Sequence, residues 1–119
     1  MKIHVLRGQA TRERFLRDPP PRRLGNIAAN LARIGSFSDN PAHEAAIGRL
    51  LLESKHFIEW SAPHASLDVQ VELAESQLQI VRWERRLRGT LADSSERASM
   101  AGAANRWSER LLERSGLLR

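Results

Sequence analysis

The chain has 119 residues, no cysteine and a net charge of +5, with 41% hydrophobic and 28% charged residues. This is one globular domain by length and composition. Disulfides, thiolate metal sites and cysteine nucleophiles are excluded. No apolar run approaches the roughly 18 residues of a membrane span, and residues 1–21 lack the apolar centre of a secretory signal, so a cytoplasmic location is expected.

The charge is uneven. Residues 1–40 carry eight basic and three acidic side chains; the rest of the chain is balanced. Seventeen of the nineteen basic residues are arginine, the better phosphate ligand, although a GC-rich genome produces the same skew.

Taken in order, residues 1–21 read as a basic, partly flexible arm. Lys2 to Leu6 alternate like a strand but have no strand to pair with. Thr11 to Arg17 can form one or two helical turns anchored by Phe15 and Leu16, before Pro19-Pro20-Pro21 imposes an extended stop. A first helix is expected over 22–34, where Leu24, Ile27, Ala28, Leu31 and Ile34 share one face and Gly35 supplies a left-handed end. Asn40 and Pro41 open a second helix reaching about Trp60. Its apolar arc holds Ala46, Ile47, Leu50, Leu51, Phe57 and Ile58 together with His43 and Ser54, while Leu52 falls on the charged side.

The stretch from Ser66 to Arg88 organises the rest. Ser66 caps it, acids sit near its start and arginines near its end, as the helix dipole favours. It carries two opposed apolar seams with heptad-like 4-3-4-3 steps. One is Leu67, Val71, Ala74, Leu78 and Val81; the other is Val69, Leu73, Ile80, Trp83 and Leu87, with Ser76 filling the gap. A helix with two stripes must be covered from two sides. Gly89 is the expected terminator, and Asp93 or Ser94 caps a last helix over 95–115 with Met100, Ala103, Ala104, Trp107 and Leu111 on its stripe. Ala101 to Ala104 are small enough to let another helix approach, Gly116 ends the helix, and Leu117-Leu118 can fold back.

These elements imply an all-α fold: a small antiparallel bundle of about four helices over 22–119, joined by loops of five to seven residues, behind the arm 1–21. The second seam (Val69, Leu73, Ile80, Trp83, Leu87) is the expected protein interface, open to a second copy unless the last helix covers it. A charge at Leu73 or Ile80 is then expected to weaken association, and global unfolding would place that seam in the core instead.

No motif carries chemistry. The four histidines lack metal-pair spacing, and no metal or cofactor is expected. Glu53, His56 and Glu59 could supply a general base, but neither a nucleophile nor a glycine-rich loop accompanies them, and a charged helix face looks the same. The chain is therefore read as non-enzymatic: an interaction, assembly or regulatory module, homodimeric and not membrane-bound. The alternative is a nucleic-acid-binding accessory protein using Arg7, Arg12, Arg14, Arg17, Arg22 and Arg23. Against it, only Phe15 interleaves with these arginines, so base stacking is poorly provided for. Arg82, Arg85, Arg86 and Arg88 form a second basic cluster, balanced by acids upstream.

The segments LGNIAANLARI (24–34), SKHFIEW (54–60), VELAESQLQIVRW (71–83) and RWSERLLERSGLL (106–118) resemble a group of small uncharacterised helical proteins from cyanobacteria. The resemblance implies a cytoplasmic protein of a photosynthetic bacterium whose last helix belongs to the fold. It implies no activity.

Overall fold

The computed structural model describes residues 11–117, which contain five helices and no strand. Helix α1 covers 11–17, α2 Pro20–Phe37, α3 Glu44–Ser61, α4 Leu67–Ala92 and α5 Ser94–Ser115. Short 3-10 turns, Pro41–His43 and Ala62–His64, precede and follow α3. None of these helices is long and apolar enough to cross a membrane. The alternating stretch Lys2 to Leu6, Arg7 and Leu118 lie outside the described residues.

Helix starts follow local chemistry. Asn40 Oδ1 accepts from the Ala42 amide at 2.9 Å, and Ser66 Oγ accepts from Val69 at 3.4 Å. Asp93 Oδ1 accepts from both Ser95 and Glu96, at 2.8 and 3.1 Å. Gly116 adopts the left-handed conformation, φ 76°, that ends α5.

Three expectations about boundaries are corrected. Only Pro19 is extended; Pro20 and Pro21 open α2, because the first turn of a helix has no use for their missing amide hydrogens. Gly35 does not end α2. It is helical and buried where α5 crosses, and a Cβ there would collide with the Asn105 side chain and lie 3.2 Å from the Ala101 carbonyl oxygen. Gly89 does not end α4, which continues until Leu91 is buried; a single residue, Asp93, then separates α4 from α5.

The core joins four helices. All five residues of the expected α2 face are buried, with Ile47, Leu51 and Ile58 of α3, Leu73 and Ile80 of α4, and Met100, Ala104 and Leu111 of α5. Each buried leucine, isoleucine or methionine side chain among them stabilises the fold by roughly 1.5–3 kcal/mol. Contacts between helices climb one partner while descending the other. Near the start of α2, Gly25 faces Leu117, beyond the end of α5; further along, Ala28 accepts a hydrogen bond from Ser108 Oγ at 2.7 Å, and Gly35 meets Ala101. Between α3 and α4, Glu44 pairs with Arg88, Lys55 with Glu84 at 2.8 Å, and Ala62 O accepts from Gln70 at 3.0 Å.

The second half of the expected arm is part of this structure. Phe15 is buried, stacks on Phe57 with ring centroids 4.3 Å apart, and lies 5.8 Å from the Trp60 ring. Arg23 fastens the end of α1: Nε donates to the Asp18 carbonyl at 2.8 Å and Nη2 to that of Leu16 at 2.7 Å.

Candidate functional site

The two seams of α4 face opposite environments. Leu73 and Ile80 are completely buried, Trp83 is 7% exposed, and Val69 and Leu87 pack against the same core. The seam expected to be a protein interface is thus the inner face of the molecule, and that assignment is corrected. The other seam faces solvent: Leu67 is 75% exposed, Val71 51% and Leu78 54%. Ala74 is exposed between them and Val81 half-buried at the end of the row.

Polar contacts on the flanks of α4 decide which seam is inside. On one flank Lys55 of α3 holds Glu84, and Gln77 Nε2 donates to the Lys55 carbonyl at 3.3 Å. On the other, Arg110 of α5 reaches Glu72, a carboxylate in an otherwise covered position. Arg110 Nη2 hydrogen-bonds Oε1 at 3.0 Å and makes an ionic contact with Oε2 at 2.9 Å. Its guanidinium lies 4.5 Å above the Trp107 ring, and Arg114 approaches the same carboxylate at 3.5 Å. Ser76 fills the break in the inner seam by donating back to the Glu72 carbonyl at 2.8 Å. With α3 and α5 drawn to the Ser76 side, the row from Leu67 to Val81 is left bare over roughly 21 Å.

Charge along the bare row changes sign. Asp68 and Glu75 border its first half, and Arg82, Arg85 and Arg86 its second. None of these three arginines has an ion-pair partner among the described residues, whereas Glu75 has Arg110 at 4.0 Å. Gln79, Arg82, Arg86, Ser99 and Met100 line a shallow groove between α4 and α5.

The N-terminal arginines behave differently from one another. Arg12, Arg14, Arg17 and Arg22 are exposed; Arg23 is spent on α1 carbonyls. They do not share a surface with the α4 arginines. Helix α1 lies on Phe57 and Trp60 near the end of α3, whereas Arg88 reaches Glu44 at its beginning.

The remaining polar candidates, Ser54 apart, have structural partners. His43 Nδ1 is 3.0 Å from the Phe37 carbonyl oxygen. Glu53 accepts from Asn30 at 3.0 Å, and His56 sits 3.7 Å from Glu59 and stacks on Trp60. Ser54, fully buried, has no hydrogen-bond partner for its hydroxyl among the described residues. No cluster of metal-ligating side chains occurs among the described residues.

Comparison with protein-family models, with curated proteins and with solved structures finds no match.

Proposed function

We propose that this protein is a helical assembly module, an up-and-down antiparallel bundle that pairs with a second copy of itself through the outer face of α4. The observation that carries this reading is the solvent-facing row of Leu67, Val71 and Leu78 opposite a complete core. Contiguous exposed apolar rows of this kind mark interaction surfaces.

A second copy is the occupant that the charges favour. When two copies of α4 cross antiparallel about a two-fold axis, Ala74 of each faces Leu78 of the other and Val71 faces Val81. Asp68 then lies against the opposing Arg82, and the same pair recurs on the other side of the axis. Glu75 falls near the axis, where Arg110 of its own chain offsets it. A parallel arrangement would set Arg82 and Arg85 against their own copies. One helix pair is a small interface, so the association is concentration-dependent.

Light scattering on the eluting full-length protein tests this. The expected mass approaches twice 13.5 kDa as concentration rises and returns to 13.5 kDa in Leu78→Glu. A wild-type mass fixed at 13.5 kDa up to millimolar concentration rules out self-pairing.

Phosphate backbone binding is the second reading, favoured by the three unpaired arginines at the α4–α5 groove. It requires affinity that falls steeply with salt.

A further inference from the structure

At the end of the molecule where the start of α2 meets the 3-10 turn after α3, a cavity of about 200 Å³ opens between α2, α4 and α5. Its walls are mostly hydrocarbon, with Pro20, Pro21, Leu24, Ala65 and Val69 among the lining residues.

Three observations describe its chemistry. First, Arg23, Arg114 and His64 line the cavity, and among the described residues no carboxylate does. Arg23 spends Nε and Nη2 on neutral carbonyls and has no ion-pair partner among the described residues. Arg114 touches Glu72 only at 3.5 Å. Second, the first turn of α4 forms part of the wall through Ser66 and Val69, and the positive end of a 26-residue helix favours an anion. Asp68, in the same turn, is exposed and does not line the cavity. Third, Ser61 is 5% exposed and lines the cavity, yet its hydroxyl has no hydrogen-bond partner among the described residues. The other two serines in the wall are spent. Ser66 accepts from Val69, and Ser115 donates to the Leu112 carbonyl at 2.6 Å while accepting from Leu117 at 3.1 Å. A buried hydroxyl without a partner costs stability, and Ser61 borders a positively biased, apolar-walled space.

We propose that this cavity is a binding site for a small monocarboxylate with a short hydrocarbon tail. The carboxylate takes the Ser61 hydroxyl and the Arg114 guanidinium, and the tail lies against Leu24, Pro20 and Val69. A bare inorganic anion would leave the hydrocarbon walls uncovered, and a neutral alcohol would leave the two arginines unused. The site is independent of self-pairing, because it opens beside the inner flank of α4 and the Leu67–Leu78 row lies on the outer one.

Amide-resolved NMR titration of the full chain tests the assignment, with sodium hexanoate as the probe and 1-hexanol, sodium acetate and inorganic phosphate as comparisons. Hexanoate is expected to give saturable shifts at Ser61, Ser66 and Val69, with an affinity about tenfold above those of hexanol and acetate, the scale of one charge-assisted hydrogen bond. Ser61→Ala and Arg114→Gln each weaken hexanoate several-fold and leave hexanol unchanged. Ser61→Ala removes only an unpaired hydroxyl, so the remainder of its spectrum stays in place. Equal affinity for hexanol and hexanoate would make this a plain apolar cavity and overturn the proposal. Tighter binding of phosphate, or no saturable shift with hexanoate, overturns it as well.

Discussion

Phe15 stacks on Phe57 with the two rings 14° from parallel. Nine residues before α2 begins to bury its apolar face, the chain is thus already attached to α3. Phe15→Ala removes this anchor and is expected to cost about 2–4 kcal/mol. Amide exchange at 11–17 accelerates, and the Trp60 emission shifts to the red. The α2–α5 core keeps its protection, because none of its contacts passes through Phe15.

The two seams of α4 give opposite mutational outcomes. Leu73→Glu puts a charge into a completely closed position and is expected to cost roughly 4 kcal/mol or more, enough to unfold a domain of this size. Leu78→Glu, on the outer row, changes stability by less than about 0.5 kcal/mol. It acts on molecular mass alone. Urea denaturation beside light scattering separates the two.

Periodicity found both stripes of α4 but could not orient them. The two rows have the same spacing and similar hydrophobicity, so their periodicity alone does not say which one meets the core. The deciding contacts come from elsewhere in the chain: Lys55 to Glu84 and Arg110 to Glu72. Ser76 was the local signal, because a small hydroxyl that can bond to its own backbone suits a crowded inner position. Legibility was better where one face alone is apolar, as in α2, whose five expected residues are all buried. Glycine misled twice, since Gly35 and Gly89 lie inside helices for different reasons. The cavity beside Ser61 was invisible because its walls come from three separate stretches of chain.

Those two glycines respond oppositely to alanine. Gly35→Ala drives a methyl group against Asn105 and the Ala101 carbonyl and is expected to destabilise by about 1–3 kcal/mol. At Gly89 an added Cβ meets nothing within 4 Å, so alanine stabilises by up to about 1 kcal/mol through the lower entropy of the unfolded chain. Thermal denaturation of both variants shows a fall in one Tm and a rise in the other.

Arg110→Ala leaves the covered Glu72 carboxylate with only the distant Arg114 and uncovers the Trp107 ring. The expected cost is about 1–3 kcal/mol. Replacing both partners, as in Glu72→Gln with Arg110→Ala, restores part of it. A double-mutant cycle by urea denaturation measures the coupling.

Successive helices meet across connections of a few residues, but Ser108 meets Ala28 across eighty. During synthesis, at about 5–20 residues per second, α2 is finished roughly 3–11 s before α5 begins to emerge. Throughout that interval the Gly35 side of α2 has no partner, and closing so long a loop is the slow, entropically costly step. The order of events on the ribosome therefore runs from hairpin to hairpin, with α5 as the latch. A stalled chain lacking that helix exposes the α2 face, the surface a chaperone or a protease would read.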